Sequence, residues 1–190
     1  MARAAAREGG APRYVAFLRA INVGGRTVKM DRLRAIFEAQ GLASVSTFIA
    51  SGNVLFDTRA RDLSALELRI ERALRDALGY DAETFVRSLR ELVDVVAHDP
   101  FPEPAAGDGY ARSVAFVRAP PDGATQARVL ALRNDVDDLA IRGREVYWLR
   151  RGPFSATRLA GGALERALGM PATVRNVTTV RKLAARCSPG

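Results

Sequence analysis

The chain has 190 residues, of which 29 are basic and 21 acidic, and its formal net charge is +8. This length allows one ordinary domain or two small ones that burial can stabilise without disulfides. The single cysteine, Cys187, excludes an internal disulfide framework and a thiolate metal site, and no run of eighteen apolar residues indicates a membrane span. We therefore expect a cytoplasmic protein with no metal, no cofactor and no membrane association.

The first half of the chain predicts the element order β-α-β-β-α-β. We expect residues 1–13 to be a disordered leader, because they carry too little apolar surface to offset the entropy of ordering. Runs rich in β-forming residues, separated by turn residues, predict strands at Tyr14–Ala20, Val45–Ala50, Asn53–Phe56 and Glu83–Arg87.

Two helices are predicted between these strands. The first begins at Asp31 as N-cap and stops at Gly41, which favours a left-handed conformation. The second begins with a capping box of Ser64 and Glu67 and ends at Gly79. Both segments place apolar residues at helical spacing, so each helix has one face suited to packing on the sheet.

The same order returns in the second half. A connecting helix with a capping box of Ser88 and Glu91 completes a first module over residues 14–98, and the Pro- and Gly-rich residues 99–110 predict a surface linker. Residues 111–190 then form the second module. Its predicted strands are Ser113–Arg118, Leu139–Ile141, Val146–Leu149 and Ala172–Arg175, and its helices are Asp122–Arg133, one marked by Leu159, Leu164 and Leu168, and a closing one marked by Val180, Leu183 and Ala184.

The two modules open with nearly identical segments. VAFLRA at 15–20 and VAFVRA at 114–119 differ at one position of six. Because the match falls where the element order restarts, it indicates an internal duplication. The chain is thus predicted to be α+β, with two tandem ferredoxin-like β-α-β-β-α-β modules, antiparallel sheets and an extra C-terminal helix.

The first module predicts an anion site at one end of its sheet. In this fold the loop after the first strand, the start of the first helix and the turn between the two middle strands share that end. Helix N–H groups and glycine backbone can approach an anion there. The candidate ligand-binding residues are Arg19, Asn22, Gly24, Gly25, Lys29, Ser51 and Asn53. Alternatively, the glycines only make turns and the asparagines only brace loops.

The second module predicts a basic edge. A helix starting at Ser155 or Thr157 and a last helix starting after Asn176 would bring two N-termini and several arginines together, an arrangement suited to anions. The candidate ligand-binding residues are Arg151, Thr157, Arg158, Arg175 and Asn176. The alternative is that Thr157 and Asn176 are only caps, while the arginines pair with Asp135, Asp137 and Asp138.

Several catalytic patterns are missing from the sequence. The single histidine, His98, excludes a histidine cluster and is expected near a helix end. Neither a phosphate-binding loop of the G-x-x-x-x-G-K type nor a dinucleotide fingerprint is present. Tyr147 and Trp148 lie at adjacent strand positions, so core packing is expected for one and exposure for the other. An enzymatic function therefore has the least support, and no catalytic residue is assigned.

Charge is concentrated in the last 49 residues, which hold ten basic and two acidic side chains. Such a surface attracts phosphate or nucleic acid, although arginines can equally just solvate helix faces. Our leading hypothesis is a small phosphorylated or carboxylated ligand, bound by the two candidate groups. The alternative is a nucleic-acid-binding module that uses the basic C-terminal quarter.

Three motifs resemble the bacterial family known as domain of unknown function 1697. They are RAINVGG at 19–25, ASGNVLF at 50–56 and TVRNVTT at 173–179, and the likeness extends from Tyr14 to Ala185. The resemblance implies tandem ferredoxin-like halves and brings no catalytic role with it. The family usually has Ser-Lys-Leu where this chain has Thr157-Arg158-Leu159, and Trp where it has Val177.

Overall fold

A computed structural model describes residues 11–22, 24–25, 27–49, 52–101, 109–160 and 162–187. The chain divides into two compact units between Ser88 and Leu89. Each unit contains a four-stranded antiparallel sheet with helices, so the predicted α+β fold of two tandem halves is confirmed. Over the described ranges, no helix is long and apolar enough to cross a bilayer.

The first unit has the predicted order β-α-β-β-α-β. Its elements are β1 (Arg13–Leu18), α1 (Met30–Glu38), β2 (Ala43–Thr47), β3 (Asn53–Asp57), α2 (Leu63–Leu78) and β4 (Thr84–Ser88). The strand order is β2-β3-β1-β4, so β1 is central. Because side chains alternate between faces, Ala16 and Leu18 of β1 enter the core that includes Phe37 of α1 and Ile70 of α2.

The predicted leader is too long at its C-terminal end. Arg13 begins β1, and its guanidinium donates to Asp57 Oδ1 at 3.1 Å. The backbone N–H of Thr58 also donates to the Pro12 carbonyl at 3.1 Å. These bonds tie residues 12–13 to β3, whereas residues 1–10 lie outside the described part of the chain.

Both predicted N-caps of the first unit are wrong. Lys29, not Asp31, precedes α1, and Asp31 lies in its first turn. At α2 the cap is Asp62, whose Oδ1 accepts from the Ala65 backbone N–H at 2.9 Å. Glu67 is 2% exposed and accepts from the backbone N–H of Val86 in β4. The carboxylate that was expected in the capping box therefore forms a tertiary hydrogen bond to the sheet.

The second unit repeats this topology and adds a helix at each end. Its elements are α3 (Leu89–Ala97), β5 (Tyr110–Val117), α4 (Gly123–Leu130), β6 (Asp137–Arg142), β7 (Glu145–Arg151), a 3₁₀ turn (Phe154–Ala156), α5 (Ala163–Leu168), β8 (Ala172–Asn176), α6 (Val177–Ala184) and a final 3₁₀ turn (Ala185–Cys187). The strand order is β6-β7-β5-β8. We grouped α3 with the first module, but it packs on α6 and lies in the second unit.

The sheet of the second unit is buried on both faces at β7. Trp148 joins the core formed with α4 and α5 and is 9% exposed. Tyr147 points to the other face, where its hydroxyl lies 3.4 Å from the Val95 carbonyl of α3, and it is 4% exposed. The expectation that one of these rings would be exposed is therefore wrong, because α3 covers the second face.

The similar segments at 15–20 and 114–119 occupy equivalent places in the two sheets. Both form central strands, β1 and β5, and Val15 and Val114 pair with Arg87 of β4 and Arg175 of β8 respectively. Each of these arginines is buried and donates from Nη1 to the carbonyl of the preceding valine at 2.9 Å. A Val-Arg pair therefore precedes a helix in both units, a correspondence that the strand and helix patterns of the sequence do not predict.

Substitution of Asp62 provides a test of how α2 begins. We expect Asp62→Ala to lower the free energy of unfolding by about 1 kcal/mol, because it removes the side-chain acceptor of an N-cap. Ser64→Ala, the matched change at the cap expected from sequence, should have a much smaller effect. Urea unfolding followed by circular dichroism measures both, and a larger loss for Ser64→Ala would contradict the assignment.

Candidate functional site

A buried carboxylate organises the basic edge of the second unit. Asp137, at the start of β6, is fully buried. Its Oδ1 accepts from the Thr157 hydroxyl at 2.6 Å and from Trp148 Nε1 at 2.9 Å. Its Oδ2 accepts from the Arg158 backbone N–H at 3.0 Å and from Asn134 Nδ2 at 3.3 Å. Burial alone would raise the pKa of Asp137, but these hydrogen bonds together hold it below its ordinary value.

Thr157 is consequently not the N-cap of a helix. It follows the 3₁₀ turn in an extended conformation, with φ −72° and ψ 141°, and α5 begins six residues later, after Gly162. The Thr157 hydroxyl donates to Asp137 and accepts from the Leu159 N–H at 3.0 Å. Only the α6 N-terminus remains of the two that we expected at this edge.

Asn176 caps α6, which agrees with the alternative interpretation given above for this residue. Its side-chain oxygen accepts from the Thr178 backbone N–H at 2.8 Å. The cap satisfies one of the free N–H groups in the first turn. Asn176 therefore has a structural role that is independent of any ligand.

Arg151 and Arg175 do not converge. Both point to the Tyr147 face of the sheet, but Arg151 pairs with Tyr110 and Arg175 with Val114, four positions further along β5. At about 3.4 Å per residue this separation is roughly 14 Å along the strand. Arg151 pairs with Asp138 at 3.4 Å.

Arg175 is turned towards its own strand. Its Nη1 donates to the Thr173 hydroxyl at 2.8 Å as well as to the Val174 carbonyl, and the residue is only 9% exposed. Burial lowers its pKa to about 10, so the guanidinium keeps its proton at neutral pH. A buried guanidinium that donates to its own strand is better placed to stabilise the sheet than to bind a ligand.

Arg150 and Arg158 lie beside Asp137. Asp137 and Arg150 are on the Trp148 face of the sheet, opposite to the face that holds Arg151 and Arg175. Arg150 pairs in register with Asp137, and its guanidinium carbon lies 5.3 Å from the centroid of the Phe154 ring. Arg150 Nη1 is buried and has no hydrogen-bond partner within the described ranges. Arg158 is exposed, and Phe154 is 63% exposed. Arg158 is one of the ligand-binding residues predicted from the sequence, whereas Arg150 and Phe154 are not.

The first-unit candidates that the structure describes lie at one end of the sheet, and the asparagines there brace the loops. Asn22 Oδ1 accepts from the Val28 N–H at 2.8 Å, and Asn53, which is fully buried, donates to the Phe48 carbonyl at 3.0 Å. Arg19 forms an ion pair with Glu83 at 3.0 Å. Three of the seven candidates thus have structural partners.

The other described candidates at that end of the sheet, Gly24, Gly25 and Lys29, are exposed. Gly24 and Gly25 are exposed and have positive φ angles of 63° and 80°. Lys29 is exposed and provides no side-chain cap to α1. Ser51 lies outside the described residues.

A small cavity lies between α3, α6 and the sheet of the second unit. His98, Asp99, Arg112 and Tyr147 line it, and the His98 and Tyr147 rings meet edge to face at 4.9 Å. Burial is the main cause that raises the pKa of Tyr147, to about 12, so its hydroxyl stays protonated. The cavity volume is about 20 Å³, which holds about one water molecule and no metabolite.

Within the described ranges, no three His, Cys, Asp or Glu residues lie close enough together to hold an ion.

Substitution of Asp137 tests its role at the edge. The folded pKa lies below the ordinary value of 3.8, so the carboxylate stabilises the fold above that pH and this contribution is lost as the pH falls through the folded pKa. We expect Asp137→Asn to lower the free energy of unfolding at pH 7 by about 3 kcal/mol, since hydrogen bonds to a buried charge are lost. Its stability should also fall less in acid than that of the parent chain.

The matched control for this substitution is Asp135→Asn, which changes an exposed carboxylate two residues away. It should leave both the stability and its acid dependence nearly unchanged. Denaturant titrations at a series of pH values measure both effects. Equal effects of the two substitutions would contradict the role given to Asp137.

Comparisons with known proteins support the fold and identify the family. The conserved bacterial protein SP0830 from Streptococcus pneumoniae is similar in structure, with a TM-score of 0.68 and 22% sequence identity, over 92% of this chain and 97% of that one. No curated protein sequence matches the chain. The family described as protein of unknown function (DUF1697) matches residues 12–147, which is more than half of the chain. The chain therefore belongs to the DUF1697 family.

Proposed function

We propose that the protein binds a small phosphorylated or carboxylated molecule, and that Arg150 and Arg158 of the second unit provide the main contacts. The observation that carries this proposal is the buried Arg150 Nη1, which has no hydrogen-bond partner among the residues described. A buried N–H without a partner costs about 1–3 kcal/mol. An anion that accepts from Arg150 would recover this cost, after a small rotation of the side chain brings Nη1 to the surface.

The position of Arg158 supports the same site. The Arg158 backbone N–H donates to Asp137 at 3.0 Å, which fixes the main chain at this position beside Arg150. The exposed Arg158 side chain extends from that point. The charges of Arg150, Arg158 and Asp137 sum to +1, and both oxygens of Asp137 already accept hydrogen bonds. The guanidinium groups therefore face an incoming anion with a net positive charge and a planar donor geometry that matches phosphate or carboxylate.

The other predicted residues have secondary places in this proposal. Within the first unit, Gly24, Gly25 and Lys29 would offer a second, separate anion site through backbone N–H groups and an ammonium. Asn22 and Asn53 would only hold the loops around it, and Arg19 would keep its ion pair with Glu83. In the second unit, Thr157, Arg151, Arg175 and Asn176 would shape the edge without being its main ligands.

A nucleic-acid-binding function is the second candidate, and Phe154 is the observation that favours it. Its ring is 63% exposed, with the Arg150 guanidinium on one side. Exposed aromatic rings beside arginines stack on the bases of single strands. The basic C-terminal quarter would then contact the phosphates.

Phosphate titration tests the first candidate. We expect inorganic phosphate or a phosphometabolite to raise the melting temperature and to shift the amide resonance of Arg158. Arg150→Gln and Arg158→Gln should each weaken binding about tenfold, equivalent to about 1.4 kcal/mol, because each removes a charge-assisted hydrogen bond. The control is Arg69→Gln, an exposed arginine of α2. Binding that is absent, or that Arg69→Gln weakens equally, would overturn the proposal.

A single-stranded oligonucleotide separates the two candidates. If the second is correct, oligonucleotide affinity falls steeply with salt, and Phe154→Ala lowers it while leaving phosphate affinity unchanged. Fluorescence anisotropy at two salt concentrations measures this. Affinity that is insensitive to both salt and Phe154→Ala would contradict nucleic-acid binding at this edge.

A further inference from the structure

A concave surface that is separate from the basic edge of the second unit lies between α3 and the β6–β7 hairpin. We call it the hairpin groove; Asp94 and Glu91 of α3 and Arg142, Gly143, Arg144 and Tyr147 of the hairpin line it. Its volume is about 280 Å³. This corresponds to about nine water molecules at liquid density and lies just below the usual range of small-molecule pockets. The groove therefore suits a compact ligand.

The walls of the hairpin groove are fixed to each other. Arg144 Nη2 donates to Glu91 Oε1 at 2.7 Å, which joins the hairpin to α3. The Tyr147 hydroxyl lies 3.4 Å from the Val95 carbonyl of the same helix, and Tyr147 is 4% exposed. A preformed groove binds with less ordering cost than one that must assemble around its ligand.

Two charges of opposite sign remain available on the two walls. Asp94 lies on α3 and Arg142 on the hairpin; both are exposed, and neither side chain has an ion-pair partner within the described ranges. Glu145 adds a carboxylate beside Arg142, its partner in the register. With the Glu91–Arg144 pair, the lining charges sum to −1. The groove therefore disfavours a simple anion and favours a ligand that also carries a positive group.

We propose that the hairpin groove binds a small zwitterion of the amino-acid class. The ligand's ammonium group pairs with Asp94, assisted by Glu145, and its carboxylate pairs with the Arg142 guanidinium. This site is separate from the basic edge, and the proposal does not depend on the function proposed there.

Amide NMR on the full chain tests this proposal, with Gly143 and Val95 as reporters. We expect one or more of the standard L-amino acids, added at millimolar concentration, to shift both resonances in a saturable way. Ethylamine and acetate, which each carry one of the two charges, should bind at least about tenfold more weakly, because each forms only one ion pair. Acetate or phosphate that shifts these resonances as strongly as the amino acids would overturn the proposal, and so would no shift with any amino acid.

Two substitutions distinguish the hairpin groove from non-specific binding. Asp94→Asn and Arg142→Gln should each lower the affinity for the tightest-binding amino acid about tenfold. Neither should disturb folding, since both side chains are exposed. Asp76→Asn, an exposed carboxylate of α2, should leave the affinity unchanged. If the affinity does not respond to Asp94→Asn and Arg142→Gln, the assignment is wrong.

Discussion

The basic edge of the second unit depends on Asp137, a buried carboxylate that has no ion-pair partner among the residues that the structure describes. Moving a charge out of water costs several kcal/mol unless the protein replaces the lost hydrogen bonds. Four donors do so for Asp137: Asn134 before β6, Trp148 on β7, and Thr157 and Arg158 after the 3₁₀ turn. Three separate segments are thereby fixed around one side chain. The positions of Arg150 and Arg158, and hence the proposed anion site, follow from that arrangement.

The element order could be predicted because it depends on local patterns. Apolar spacing and turn residues identified every strand and the main helices, and Gly79 does end α2 in a left-handed conformation. The local signals failed where a distant residue competed for the same group. The Glu67 carboxylate bonds to β4 and leaves the cap to Asp62, and the Thr157 hydroxyl bonds to Asp137, twenty residues away.

The candidate site was harder to predict because it depends on strand register and on which helix covers which face. Arg151 and Arg175 are both near strand ends in the sequence, but pairing with β5 places them at different distances from the edge. Arg150 and Arg158 both lie beside Asp137 only because β6 brings that carboxylate next to β7. The hairpin groove requires α3 to lie against β7, and no short-range pattern encodes that contact.

The direct junction between β8 and α6 restricts how this protein can vary. β8 ends at Asn176 and α6 begins at Val177, so no loop residue separates the ladder hydrogen bonds from the first helical turn. Since a helix turns about 100° per residue, a single residue inserted after Asn176 would rotate the buried side of α6, with Val180 and Leu183, away from the structure that it packs against. Insertions that the hairpin loops tolerate would be excluded here, and length differences among homologous chains should avoid this junction.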